Sequence, residues 1–191
     1  MCGRYYIEID NDELEEICKK VQENVHNNEQ LSFNMQSGEV FPTNVVPIRT
    51  GMNEYKAMKW GFPGYSGRLI INARSETALA KPTFKKPMEF GRCLIPASGY
   101  YEWKHDEKKK TKHAISLPDR KVMYMAGCYR VEGKDNRYSF VILTRPASSS
   151  LEYIHERMPV IIPEDRIEEW LQTSPDVLDQ AIDDLAYMEA L

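Results

Sequence analysis

Four residues of this chain carry side chains suited to covalent or acid–base chemistry: Cys2, Asn72, Glu102 and His155. Cys2 follows Met1 directly. Removing Met1, which precedes a small side chain, leaves a free α-amine beside a thiol. The amine titrates near ~8 and the thiol near ~8.5, so both have reactive forms close to neutral pH. Such a 1,2-aminothiol meets an aldehyde with two nucleophiles. The amine gives a Schiff base, and the thiol then closes a five-membered thiazolidine. The same group can also attack an amide as an N-terminal nucleophile. The plainer alternative is that position 2 merely neighbours the start. Gly3 and Arg4 sharpen the chemical reading, because glycine admits close backbone approach and arginine offers a planar fork to a phosphate.

Asn72 and Glu102 read two ways each. Asn72 ends the Leu69-Ile70-Ile71 run, where its amide either holds the Cys2 amine or a sugar hydroxyl, or simply makes a turn. Glu102 sits between Tyr101 and Trp103 in an apolar strand. It lies either on a solvent face or in the interior, where a raised pKa suits proton transfer. His155 stands four residues before Pro159, and a lone histidine there reads as a surface or structural residue. Arg74 suits a phosphate or a surface ion pair. Trp60 and Trp103 suit base stacking or the core. Lys104, Lys108 to Lys110 and Lys112 suit phosphate attraction or a solvated hairpin tip. Glu76 and Thr77 read as helix-start residues, and His26, His105 and His113 fall in loop or hairpin text.

The net charge of the 191-residue chain is −4, which taken whole argues against a nucleic-acid partner. Its distribution argues otherwise. Residues 8–29 carry −6 and residues 164–191 carry −8, whereas residues 56–112 hold thirteen Lys/Arg against five Asp/Glu. A basic middle between acidic ends is either a set of solvated faces or an anion-binding surface. The composition, 42% hydrophobic and 28% charged, is that of a folded domain. No run approaches the ~20 apolar residues of a membrane span, and the N-terminus lacks a signal-peptide core. A cytoplasmic protein, nucleoid-associated when on DNA, is the expectation. The four cysteines show no C-x-x-C pair and no zinc-finger spacing to histidine, so no metal and no disulfide is expected. Cys18, Cys93 and Cys128 read as small buried apolar residues.

These residues need elements to hold them. Asp10 to Val25 has the helical stripe Leu14, Ile17, Cys18, Val21, opened by an Asp10-x-x-Glu13 capping box. Residues 26–38 read as a loop. Strands are expected at 45–49, 55–60, 92–104, 112–118, 121–131 and 137–144, with hairpin tips at 105–108 and 133–136. A short helix is expected at 75–80. Two more are expected at 164–171 and 175–188, the last capped by Ser174-Pro175. The fold class is therefore α+β: a curled, mostly antiparallel sheet or barrel-like core with peripheral helices, in one domain over residues 1–191 with a helical tail from about 164.

Five ordered segments resemble a known family. They are Met1-Cys2-Gly3-Arg4, Trp60-Gly61-Phe62-Pro63, Asn72-Ala73-Arg74-Ser75-Glu76-Thr77, Arg92 to Trp103, and Ile154-His155-Glu156-Arg157-Met158-Pro159. In order and spacing they resemble the SRAP family, the SOS-response-associated peptidase domain, from residue 1 to about 172. The resemblance implies a protein that attaches covalently to abasic sites in single-stranded DNA through Cys2 and shields the lesion; no cofactor is expected, and nothing in the sequence demands more than a monomer. It also implies autoproteolytic release of whatever precedes that cysteine. Asn72 and Glu102 would then stand against the Cys2 amine, with Glu102 handling protons in Schiff-base formation. His155 would protonate the deoxyribose ring oxygen, opening the sugar to its aldehyde. Arg4, Arg74, Arg157, Trp60 and Trp103 would meet the DNA, although Arg157 also fits a structural role. Two other readings use the same residues: a cysteine peptidase acting on other proteins through Cys2, His155 and Glu102, and a non-covalent single-strand-binding module.

Overall fold

The computed structural model describes residues 2–8, 12–26, 38–106, 109–133, 137–172, 178–179 and 181–189. Its strands, in chain order, are β1 (Arg4–Ile7), β2 (Gly38–Val40), β3 (Val45–Arg49), β4 (Tyr55–Trp60), β5 (Phe62–Pro63), β6 (Leu69–Ile70) and β7 (Asn72–Arg74). They continue with β8 (Arg92–Ala97), β9 (Gly99–Asp106), β10 (Lys109–Ser116), β11 (Met123–Glu132), β12 (Arg137–Pro146), β13 (Arg157–Pro159) and β14 (Ala186–Glu189). The helices are α1 (Asp12–His26), α2 (Ser75–Ala78), α3 (Pro82–Phe90) and α4 (Ile167–Gln172).

One sheet runs β11-β8-β3-β4-β12, and β11 also pairs with β12, so the five strands close into a barrel. Closure removes free edges. The run Phe140-Val141-Ile142-Leu143 on β12 is fully buried, because one face points into the barrel while the other lies under covering elements. A strand buried on both faces reads as a continuous apolar run. Helices α1, α3 and α4 pack on this barrel. Beyond β4, the strand β7 runs parallel to β12, pairing Ile142 with Asn72 and Thr144 with Arg74.

The second sheet has the order β14-β10-β9-β1-β2. The chain leaves the barrel for this sheet between β8 and β9, at Ser98-Gly99. Ser98 N–H donates to the Tyr6 carbonyl at 2.9 Å, and its hydroxyl accepts from the Glu8 N–H at 2.8 Å. A Cβ on Gly99 would stand 2.4 Å from the Tyr6 hydroxyl and 2.5 Å from the Ile115 carbonyl. Only glycine lets β9 lie this close to β1 and β10, and β9 carries Glu102.

The expected fold class holds, and the strands at 45–49 and 55–60 fall where the sequence places them. The capping residue Asp10, most of the loop over 26–38 and parts of both hairpin tips lie outside the described residues. One element is corrected. The expected helix at 175–188 does not run through its described part: residues 178–179 lie in a 3-10 turn, residues 181–185 carry no helix, and Ala186–Glu189 forms β14, antiparallel to β10. The open edge of β10 supplies backbone partners that a helix there would leave unused. The start of that expected helix, residues 175–177, and its cap Ser174 lie outside the described residues. Helix α3 was not expected; Pro82 starts it at the first turn, and Pro87 sits inside it. Among the described residues no helix is long and apolar enough to cross a membrane.

Candidate active site around Cys2

Cys2 precedes β1 and is fully buried. Its carbonyl accepts a hydrogen bond from Asn72 Nδ2 at 2.9 Å. β7 holds Asn72 there because it is clamped to β12, whose buried Ile142 N–H donates to the Ile71 carbonyl. The other half of the amide, Asn72 Oδ1, is buried and accepts no hydrogen bond from the described residues. A buried acceptor without a donor is rare in native structures. It suits an incoming amine or hydroxyl.

The thiol lies beside Tyr5, Tyr100 and Glu102. Burial first, and then the Glu102 carboxylate, push its pKa far above the ordinary thiol range; a 3.8 Å contact to the Arg4 carbonyl only partly opposes them. At neutral pH the thiol is therefore protonated, and an amine would be the first nucleophile of this site. Glu102 is buried on the inner face of β9, which resolves its two sequence readings in favour of the interior. Tyr100, two residues earlier on the same face, has its hydroxyl pKa raised by burial, Cys2 and Glu102. Opposite Glu102 in the ladder stands His113, also buried.

His155 is half-buried on the turn that joins β12 to β13. The turn is anchored by Leu151 and Ile154 in the core, and the His155 N–H donates to the Leu151 carbonyl at 3.2 Å. Its Nδ1 accepts from the Arg157 N–H at 3.0 Å. The Arg157 side chain reaches the β7–α2 junction and grips Glu76, with Nη2 to Oε2 at 2.9 Å. The same nitrogen donates to the Thr144 carbonyl at 2.6 Å. Bonding to Arg157 lowers the Glu76 pKa to about 2. Asn72 thus bonds the Cys2 backbone and the Glu102 carboxylate acts on the Cys2 thiol, while His155 is tied to the end of the Asn72 strand through Arg157 and Glu76.

The residues expected at DNA divide. Arg74 is exposed at the end of β7. Arg4 and Trp103 share the outer face of the β1–β9 pair, opposite to the face of Glu102. The Arg4 guanidinium lies 4.3 Å from the Phe41 ring centre and 5.0 Å from that of Trp103, and it pairs with Glu39. Lys110 stands over Trp103 at 5.4 Å, and Lys112 stands over Tyr101 at 3.7 Å and pairs with Glu39. Two residues are corrected. Trp60 is fully buried between Tyr5 and Phe140, with its indole N–H on the Ile71 carbonyl, so it presents no face to a base. Arg157 is buried and committed to Glu76 and Thr144, so it offers no fork to a phosphate. The roles of Phe41 and Glu39 were not legible in the sequence, because their contacts form only when β2 docks on β1. Among the described residues no cluster of metal-ligating side chains occurs.

The chain is 35% identical to the abasic site processing protein YoqW of Bacillus subtilis, over 93% of this chain and 84% of that one. It is 30% identical to the abasic site processing protein YMR114C of Saccharomyces cerevisiae, over 89% of this chain and 54% of that one, so it spans about half the yeast protein's length. In fold it matches the crystal structure of a Bacteroides thetaiotaomicron protein with a TM-score of 0.75 at 22% identity, covering 97% of this chain and 91% of that one. The profile of the SOS response associated peptidase (SRAP) family matches residues 1–190. Taken with the Cys2–Asn72–Glu102 cluster and the closed barrel beneath it, that match places the chain in the SRAP family.

Proposed function

We propose that this protein processes abasic sites in single-stranded DNA by forming a thiazolidine crosslink through Cys2 once Met1 is removed. The observation that carries this reading is the meeting of a buried, protonated thiol with an amide and a carboxylate at the chain's N-terminus. The names of the relatives support the substrate class. Arg74 and the Arg4–Trp103–Phe41 surface bind the strand. His155 acts on the ring oxygen of the deoxyribose, and the sugar opens to its aldehyde. The Cys2 amine adds to the aldehyde carbon, and water leaves as the Schiff base forms, with Glu102 carrying the protons and Asn72 Oδ1 accepting from the amine. The thiol sulfur then adds to the imine carbon, and its proton passes to the nitrogen. Burial keeps the thiol neutral until this last step, which favours amine attack first.

Intact mass spectrometry of the protein with an abasic single-stranded oligonucleotide tests this. The expected product is the protein lacking Met1 plus the oligonucleotide minus one water. Absence of an adduct with Met1-free protein overturns the proposal, and an unchanged adduct from Cys2→Ala removes the thiol from it. Catalytic turnover of a peptide by substoichiometric protein would instead support a peptidase acting on other proteins. Salt-sensitive binding that survives Cys2→Ala without any covalent product would support a simple binding module.

A further inference from the structure

We propose that Arg157 is a positioning residue that fixes His155 as the Nε2–H tautomer, so that the imidazole acts on the sugar as a neutral hydrogen-bond donor rather than as an imidazolium acid. The inference rests on the reading of His155 given above and specifies its mode of action.

The observation is the 3.0 Å hydrogen bond from the Arg157 N–H to His155 Nδ1. A backbone N–H can only donate, so Nδ1 contributes its lone pair, and the one proton of a neutral imidazole must sit on Nε2. A proton can be added at Nδ1 only if this bond opens. The bond is held from both sides. The His155 N–H is fixed on the Leu151 carbonyl. The Arg157 side chain is clamped by Glu76 and by the Thr144 carbonyl, and Thr144 is itself fully buried on β12. The same clamp grips Glu76, two residues after Arg74 and four after Asn72. One ion pair therefore sets the imidazole relative to the strand that holds Cys2.

A neutral donor is sufficient for ring opening. Converting the closed sugar to the hydroxyaldehyde breaks the C1′–O4′ bond, makes the C1′ carbonyl, and moves the proton of the C1′ hydroxyl to O4′. No net proton is consumed. An Nε2–H aimed at O4′ stabilises the charge that develops there without becoming imidazolate, as neutral histidine electrophiles do elsewhere.

The test combines a spectroscopic signature with a substrate comparison. Long-range ¹H–¹⁵N spectra of DNA-free, histidine-labelled protein near pH 7.5 should show His155 protonated on Nε2 alone. Glu76→Gln removes the ion pair at a partly exposed position and should give a mixture of tautomers. It should also slow crosslinking to abasic DNA by about ten- to a hundredfold, the scale expected when a catalytic group loses its placement. Reaction of the same variant with a simple open-chain aldehyde, which needs no ring opening, should be unchanged. Arg157→Lys, which keeps the cation, should fall between wild type and Glu76→Gln in both tautomer and rate. An Nδ1–H tautomer in the wild type overturns the inference, as does a Glu76→Gln variant with normal tautomer and normal rate. A variant slowed equally on the open-chain aldehyde overturns it too. If the wild type forms no adduct at all, the functional reading fails, while the spectra still decide whether Arg157 sets the tautomer.

Discussion

Asn72 donates from Nδ2 to the carbonyl of Cys2 at 2.9 Å across 70 residues of chain, while its own Oδ1, buried, takes no hydrogen bond from the described residues. One half of the amide thus fixes the Cys2 backbone, and the other half is a buried acceptor.

Asn72→Ala separates these two roles from mere packing. It removes one buried hydrogen bond and should lower stability by about 1 kcal/mol. The crosslinking rate should fall by about tenfold or more, because the Cys2 backbone loses its anchor and the amine its acceptor. Asn72→Asp keeps the acceptor and loses the donor, and should retain more activity than alanine. A gel-shift time course measures both rates, and equal rates for the two variants would contradict the assignment of Oδ1.

The two tryptophans give opposite expectations. Trp60 is fully buried against Tyr5 and Phe140, so Trp60→Ala should cost about 3–5 kcal/mol in urea unfolding. Trp103 sits on the outer face with Arg4 and Lys110 over its ring. Trp103→Ala should change stability by about 1 kcal/mol or less. It should weaken non-covalent binding of single-stranded DNA by about 1–3 kcal/mol. Fluorescence anisotropy on a Cys2→Ala background reads the binding; unchanged affinity would take Trp103 off the DNA surface.

Much of this fold is legible in the sequence, and the misses have physical causes. The alternating or apolar runs at 45–49 and 55–60 become β3 and β4 because strand patterning is local. Residues 178–185 carry Leu178, Ala181, Ile182 and Leu185 at helical spacing, yet residues 181–185 form no helix and bury Ala181 and Leu185 all the same. There the Ile182 N–H bonds to the Ile161 carbonyl, and β14 completes the edge of β10. Tertiary backbone partners outweighed local periodicity. At the site, residue types were readable and pairings were not. Arg157 reads equally as a phosphate ligand or a structural cation until Glu76, 81 residues away, is seen gripping it.

Buried thiols make the protein sensitive to alkali. Burial raises the pKa of Cys18 to about 11 and of Cys128 to about 12, and it raises those of Cys2 and Cys93 as well. In the unfolded chain a thiol loses its proton near ~8.5. Above that pH the unfolded state binds fewer protons than the native state, so stability falls as pH rises. The contribution is intact below ~8.5 and is lost towards each folded value. Urea midpoints should therefore drop between pH 8 and pH 11. Cys128→Ala should flatten the decline by up to about 1.4 kcal/mol per pH unit. Parallel curves for wild type and variant would mean that the thiol is not protected as its burial implies.

Arg74 decides whether the basic middle of the chain meets DNA. It is exposed at the end of β7, two residues beyond Asn72, and forms no ion pair among the described residues. A cation that neutralises one phosphate of a single strand releases its counterions and contributes about −0.7 to the slope of log K against log salt. Arg74→Ala, measured with Cys2→Ala to keep binding reversible, should weaken affinity for abasic and intact single strands alike. It should reduce the magnitude of the salt slope by about 0.7. Arg157→Lys, buried away from solvent, should leave the slope unchanged. If Arg74→Ala lowers affinity without changing the slope, Arg74 supports the shape of the site rather than touching phosphate. If neither changes, the DNA path lies along the Arg4–Trp103 face alone.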